Sequence, residues 1–405
     1  MRLIISFAAL LMSVVLVQLG SGSLAPLDAL SGAALGFSAA EIGLLGSAHF
    51  VGFFVGCWLA PRMTGTIGHV RVFAAFAASG AIGALAHPLW HEPWFWAVLR
   101  MLTGFAVAGS ATVIEGWLQA RVTNDTRGRV IGVYRVVDLG AALAAQAMIS
   151  FLPPATFVSY NIVACMCCLC LVPLTLTSAP EPEKPETPPR LRPLKTLRLS
   201  PLGAAGVFVA GITMPAFRMV GPLYGLEVGL DANGIALFLS AAILGGALAQ
   251  APVGWLADKH DRRWVLVWLS VAAMAVCLGV AWIGGASPAA IYGGALVFGL
   301  VSYPIYSVSS AHANDFAEPQ EAIELNASLL FIYAMGAILA PFFSARLIEA
   351  AGPSSLFVFI AAAHVALAVI GFWRMRARPP AAEKTPYVYT PRSSFIVDRL
   401  LGRRR

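Results

Sequence analysis

The sequence predicts an all-α integral membrane protein: twelve membrane-crossing helices in two six-helix bundles, with both termini in the cytoplasm. Three observations carry that prediction. Of 405 residues, 59% are hydrophobic and 12% charged, about half the charge of a soluble domain. Twelve apolar runs reach the ~20 residues that a helix needs to cross a bilayer. The basic residues are also sorted. Of 27 Lys and Arg, only Arg100, Arg135, Arg218 and Arg346 lie inside those runs, and the rest fall in the termini and in alternate connections. The intervening connections hold none, as the positive-inside rule requires. Twelve spans leave only short loops, with no room for a soluble catalytic domain. The net charge of +7 belongs to cytoplasmic loops facing anionic lipid, not to a nucleic-acid surface.

The first span covers 3–30. Met1-Arg2, the apolar run to Gly20 and the small residues Ser21–Ala25 also fit a secretory signal. Apolar character continues through Leu35, however, and removing the segment would leave eleven spans, so it reads as the first helix. The second span, 42–61, ends in the basic turn Arg62–Arg71. The third and fourth, 72–88 and 93–117, are joined by a short stretch without Lys or Arg. The fifth, 130–152, follows the polar connection 118–129, and the sixth covers 156–177. All six cysteines, Cys57, Cys165, Cys167, Cys168, Cys170 and Cys277, fall in apolar segments. The offsets within Cys165–Cys170 scatter the thiols around a helix, and no His or carboxylate lies near in sequence. Packing, not metal binding, is expected of them.

Residues 178–200 are the longest internal hydrophilic stretch. The prolines from Pro180 to Pro189 forbid a continuous helix and predict an extended cytoplasmic linker. It divides an N-terminal bundle, 1–177, from a C-terminal one, 201–373. The second half repeats the plan with spans at 201–223, 233–257, 264–284, 288–312, 323–348 and 354–373. Each half has a basic turn after its second span, Asp258–Arg263 in the second, and a polar connection after its fourth, 118–129 and 313–322. Duplicated bundles that rock about a shared midplane are a common plan of secondary transporters. The tail, 374–405, is Pro-rich and basic and is expected to be disordered.

The sharpest motif is Gly254-Trp-Leu-Ala-Asp258-Lys259-His-Asp-Arg262-Arg263. Here Gly254 allows close helix approach, Asp258 can cap a neighbouring helix, and Lys259, Arg262 and Arg263 can pair with acids elsewhere. The turn resembles the signature loop of the major facilitator superfamily. Its first-half counterpart is degenerate, Gly56-Cys-Trp-Leu-Ala-Pro61-Arg62, with proline near where the acid should stand. That departure, the string Ile67–Phe73, the stretch Val113-Ile-Glu115-Gly-Trp117 and the stretch Phe217–Glu227 are similar to the YcaD-like subfamily. The resemblance implies the twelve-helix fold and transport, and brings no defined substrate. With Pro61 in place of the acid, Glu115 at the inner end of the fourth span is the substitute latch acid, expected to pair with Arg62, Arg71 or Arg129.

Arg100-x-x-x-Gly104-x-x-x-Ala108 resembles a further superfamily motif, in which the arginine is associated with proton coupling; anchoring of two helices is the competing role. A charge inside a span costs at least ~2.5 kcal/mol, so Arg100 should face a cavity or a partner. Gly104 and Ala108 make a small face for tight packing. Arg135 and Asp138 share one face of the fifth span, about 8 and 12 Å from its inner end. Asp138 is the best candidate for solute contact or for a titrating proton carrier, the alternative being an internal pair with Arg135. Gln146 extends that face. Arg218 on the seventh span is a candidate anion contact or gate. Arg346 and Glu349 read as an interfacial pair, and Asp28 and His49 as cavity residues or as packing or gate residues.

The helix-5 Gly/Pro stretch of drug–proton antiporters is missing, and no phosphate-binding Gly-x-x-x-x-Gly-Lys loop occurs. The expected function is therefore secondary active transport of a small solute, coupled to protons, without cofactor, metal or ATP. It leans to an anionic or zwitterionic solute because intramembrane arginines outnumber acids. A multidrug or metabolite antiporter, and a transporter-derived sensor with its tail as a docking element, stand beside it. No enzymatic constellation is present. The expected partners are the solute, protons and the lipid bilayer, not nucleic acid, for a monomer in the cytoplasmic membrane.

Overall fold

The computed structural model describes residues 2–122, 124–176, 190–283, 287–318, 321–377, 379, 384–390 and 393–394. The helices are α1 Arg2–Ala34, α2 Ala39–Ile67, α3 His69–Ala86, α4 Pro93–Arg121, α5 Asn124–Met148, α6 Phe157–Leu169, α7 Leu171–Thr175 and α8 Pro193–Leu199. They continue as α9 Pro201–Glu227, α10 Ala232–Lys259, α11 Arg262–Ile283, α12 Pro288–Ser302, α13 Ile305–Asn314, α14 Ala322–Ala351 and α15 Ser355–Ala377. Among the described residues there is no strand. Twelve stretches are long and apolar enough to cross a membrane; the sixth joins α6 with α7 and the tenth α12 with α13. The chain is thus a multi-pass membrane protein.

Prolines explain both broken spans. A proline lacks the N–H and crowds the carbonyl four residues back. Pro173 does this to Leu169, where α6 ends, and Pro304 separates α12 from α13. The linker is less extended than its prolines predict. Pro193 opens α8, where its missing N–H removes no hydrogen bond. Ion pairs of Lys195 with Glu321 (2.5 Å) and Arg192 with Glu324 (3.6 Å) hold that helix to the start of α14. The Pro-rich part, 178–189, lies outside the described residues.

The chain forms two compact units. One comprises Met1–Phe37, Ala48–Pro189 and Arg392–Gly402; the other comprises Ser38–Ser47, Arg190–Pro391 and Arg403–Arg405. Within the first, α1 packs on α5 and α6, and α3 on α4 and α6. Within the second, α9 packs on α14 and α15, and α11 on α12 and α15. In each, the first span meets the fifth and sixth, and the third meets the fourth and sixth, so the duplication expected from the sequence is repeated in the packing.

Glycines set close helix pairs in both units. A Cβ on Gly104 of α4 would run into the His49 carbonyl of α2, and one on Gly52 of α2 into the Met101 carbonyl of α4. The same relation joins α10 and α12, where Gly245 faces the Leu296 carbonyl and Gly299 the Ala242 carbonyl. This is the small-residue packing that the Gly104/Ala108 spacing predicts. Gly104→Ala should therefore lower stability by about 1–3 kcal/mol through overpacking. Gly132→Ala, with nothing within 4 Å of its added Cβ, should be neutral or stabilising by up to ~1 kcal/mol. Thermal unfolding in detergent reads the contrast.

Candidate functional site

In the first unit, α1, α3, α4 and α6 close on a buried charged cluster. Arg100 is 1% exposed, and its Nε lies 3.3 Å from Asp28 Oδ2. Tyr160 donates its hydroxyl to Asp28 Oδ1 at 2.9 Å. His87, fully buried, stacks on Tyr160 with ring centroids 5.0 Å apart, and its Nε2 is 3.6 Å from Asp28 Oδ2. His87 Nδ1 lies 2.6 Å from the Gly83 carbonyl, an acceptor, so Nδ1 carries a proton and Nε2 faces the carboxylate. Trp96 fixes the shell: its indole N–H donates to the carbonyls of His87 and Trp90, and its ring packs edge-on against His87 and Tyr160. An arginine inside a span needs a partner, and Asp28 supplies it. Arg100, expected to face a cavity or a partner, thus meets a partner and ties α4 to α1.

A second polar face runs between α1 and α5. Gln18 donates through Nε2 to Asp138 Oδ1 at 2.6 Å, and Gln146 donates through Nε2 to the Gly22 carbonyl at 3.3 Å. Arg135 stacks over the Tyr134 ring, its guanidinium carbon 4.9 Å from the centroid. Glu115 is 1% exposed. It was expected to pair with Arg62, Arg71 or Arg129; its hydrogen bonds come from the hydroxyls of Tyr134 (3.4 Å), Ser393 and Ser394. Arg62 instead donates to the Trp58 carbonyl and lies over that ring, 4.4 Å from its centroid. Arg71 and Arg129 are exposed.

In the second unit the turn after α10 is built around Arg262, 1% exposed. Its Nη2 meets Asp258 Oδ1 at 2.9 Å, and its Nη1 meets Asp315 Oδ1 at 2.5 Å. Nη1 also donates to the Ala311 carbonyl at 3.1 Å, and Nη2 to the Thr385 carbonyl. One planar guanidinium thereby joins α10, α11, the end of α13 and the tail, a geometry that lysine does not reproduce. Arg263 forks onto Asp261, with Nη2 2.6 Å from Oδ2, and its backbone N–H caps onto Asp261 Oδ1 at 3.0 Å. The helix cap is therefore Asp261, not Asp258. Lys259 lies over the Trp255 ring, Nζ 4.4 Å from the centroid. Gly254, expected to admit a neighbouring helix, makes room for the Tyr387 ring of the tail.

The two loop carboxylates have opposite proton affinities. Burial works against ionisation of Asp261, but hydrogen bonds and charge from Arg263 outweigh it and hold the carboxyl below its ordinary value. At Asp315 burial prevails and pushes the carboxyl up, despite Arg262 and the Thr385 donors. A depressed carboxylate contributes stability above its unfolded pKa of about 3.9 and loses it as pH falls through the folded value. A raised one acts oppositely, losing stability as pH rises through its folded value. Asp261→Asn should therefore flatten the fall in thermal stability on acidification below about pH 4, read by unfolding scans across that range.

These features meet a known family. The Major Facilitator Superfamily model matches residues 9–246 and again 203–401. The chain belongs to the Major Facilitator Superfamily. It is 27% identical over 327 residues to the uncharacterized MFS-type transporter Ent638_1421 of Enterobacter sp. (strain 638), covering 79% of this chain and 83% of that one. It is 28% identical over 326 residues to the uncharacterized MFS-type transporter YcaD of Shigella flexneri, with the same coverage. Among solved structures it resembles the nucleoside transporter NupG, with TM-score 0.77, 14% identity and coverage of 91% of this chain and 98% of that one. It also resembles a D-xylose-proton symporter, with TM-score 0.67, 13% identity and coverage of 94% and 99%. As a superfamily member the chain is a secondary transporter, not an enzyme.

Within this superfamily member the remaining residues are placed as follows. Arg218 on α9 is exposed and, among the described residues, forms no hydrogen bond or ion pair. Arg346 and Glu349 form the exposed pair expected of them, at 3.5 Å. His49 is buried with its ring edge-on to Phe50. His87, Tyr160, Gln18 and Asp315 were not read from the sequence as functional. Their partners lie on other helices, and nothing in local spacing signals them. Within the tail expected to be disordered, Lys384, Thr385, Tyr387, Thr390, Ser393 and Ser394 make hydrogen bonds to the helices, and residues 380–383, 391–392 and 395–405 lie outside the described residues.

Proposed function

We propose that the chain carries a small anionic or zwitterionic solute by proton-coupled alternating access. It would sit in the cytoplasmic membrane with both termini and the Gly254–Arg263 turn on the cytoplasmic side. The sorting of Lys and Arg supports that orientation. Asp138 carries the coupling. It lies inside a span, and its hydrogen bond comes from a neutral amide, Gln18 Nε2. An amide donates to a carboxylate through its nitrogen and, turned over, accepts from a carboxylic acid through its oxygen. The site thus accommodates both protonation states without stranding a charge. Arg218 supports the solute class, because Arg100 and Arg346 are already engaged by Asp28 and Glu349. The Asp258–Arg262–Asp315 cluster is the latch that releases as the turn-bearing end opens; Glu115 is its acid in the first unit.

A thermal-shift screen of purified protein against sugars, amino acids, organic acids and lipophilic cations at two pH values tests this reading. A ligand at 100 times its Kd should stabilise the folded state by about 2.7 kcal/mol. Carboxylates or zwitterions should give the shift, Arg218→Gln should abolish it, and Asp138→Asn should remove its pH dependence. Stabilisation by lipophilic cations alone would overturn the solute assignment.

A further inference from the structure

The basic tail was expected to be disordered, but Lys384, Thr385, Tyr387, Thr390, Ser393 and Ser394 make hydrogen bonds at the helix ends, and Thr390 and Ser394 are buried there. In the second unit, Lys384 donates to the Asp258 and His260 carbonyls at 3.3 and 2.7 Å. Thr385 gives its backbone N–H to Asp315 Oδ1 at 2.8 Å and its hydroxyl to the same atom at 3.0 Å. Tyr387 gives its N–H to Asp258 Oδ1 at 2.8 Å and its hydroxyl to Gln250 Oε1 at 2.7 Å. The Thr390 N–H donates to Ser307 Oγ at 3.3 Å, and Thr390 is 1% exposed. Gln250 lies nine residues inside the end of α10 and Ser307 seven inside that of α13, depths of about 13 and 10 Å.

In the first unit, the hydroxyls of Ser393 and Ser394 both donate to Glu115, six residues inside the end of α4, a depth of about 9 Å. Cys57 Sγ on α2 lies 3.9 Å from the Ser393 carbonyl. Surface loops do not ordinarily bury their backbone this deeply, because its polar groups would go unpaired. Here each named group finds a partner on a helix, and Gly254 leaves space for the Tyr387 ring. Each unit therefore receives its own part of the tail, and the atoms that the tail occupies are those of the latch: Asp258, Arg262 and Asp315 in the second unit, Glu115 in the first.

We propose that two parts of the tail are autoinhibitory, Lys384–Thr390 in the second unit and Ser393–Ser394 in the first. Lys384–Thr390 completes the latch around Arg262, Ser393 and Ser394 cover Glu115, and each has to withdraw before the helix ends of its own unit open to solute. The consequence for transport rests on the alternating-access reading; the test does not use transport.

The test is maleimide labelling of Cys57, quantified by peptide mass spectrometry on the purified full chain. Cys57 is 1% exposed, while buried Cys277, at 0%, reports general unfolding. Removing Lys384–Arg405, or making Ser393→Ala with Ser394→Ala, should raise the Cys57 rate roughly tenfold or more, since several hydrogen bonds are lost. Cys277 should not change. A synthetic peptide of residues 384–405, added in excess, should restore protection to the truncated chain. Unchanged Cys57 labelling in both variants overturns the proposal. If the truncated chain labels at Cys277 as well, the serine variant decides, and a Cys57-to-Cys277 ratio equal to that of the unaltered chain overturns it.

Discussion

Arg262→Ala should unfold the turn-bearing end of the second unit and abolish transport. The guanidinium is nearly inaccessible and neutralises two carboxylates at once, Asp258 at 2.9 Å and Asp315 at 2.5 Å. Its removal leaves Asp315 buried without its cation, and stranding one partner of a buried pair costs about 3–5 kcal/mol. For a unit of this size that is a fall of roughly 10 °C in melting temperature. Arg262→Lys should recover only part of the loss, because one ammonium cannot fork between Asp258, Asp315 and the carbonyls of Ala311 and Thr385. Removing Arg262 and Asp315 together, as Arg262→Met with Asp315→Leu, should destabilise less than the sum of the single changes, since the one carboxylate then left without its cation, Asp258, is half exposed to water. Thermal unfolding of the four proteins measures the coupling.

Arg100→Ala should have the second largest effect, again about 3–5 kcal/mol. Asp28, 2% exposed, would keep Tyr160 and His87 but lose the ion pair that makes its burial tolerable. The loss reaches beyond one contact. Asp28 on α1 joins Arg100 of α4, His87 at the end of α3 and Tyr160 of α6, so its disorder frees four elements. Asp28→Asn with Arg100→Gln should be less harmful than Arg100→Ala alone, because neither neutral side chain leaves a charge behind. A role in anchoring helices predicts that this double variant folds and still binds solute. Direct solute contact by Arg100 predicts that it folds and binds nothing.

The fold was legible because each of its causes is local. Apolar length makes a span, Lys and Arg sort the connections, and the Gly104/Ala108 spacing makes a small packing face. The Asp258–Arg262 pair was not read, because the sequence assigned Asp258 to a cap and Arg262 to acids elsewhere, whereas the pair forms across the turn between α10 and α11. The rest of the site depends on residues far apart in the chain. Tyr160 meets Asp28 across 132 positions, Thr385 meets Asp315 across 70, and Ser394 meets Glu115 across 279. Helical periodicity reveals which residues share a face, not which face another helix offers. Glu115 was thus assigned to nearby arginines, when its partners are hydroxyls, of Tyr134 on α5 and of Ser393 and Ser394 in the tail. In the tail, composition speaks for disorder through proline and arginine, and it does not show that Thr385, Tyr387, Ser393 and Ser394 hydrogen-bond to helices far away in the chain.

The most direct test of the account is solute accumulation in proteoliposomes under an imposed proton gradient, with an internal pH dye recording proton movement. The solute is the one that gives the largest thermal shift. The account predicts that the gradient drives accumulation together with proton flux, and that Asp138→Asn abolishes accumulation while leaving solute exchange intact. Accumulation indifferent to the gradient, or fully retained by Asp138→Asn, would contradict it.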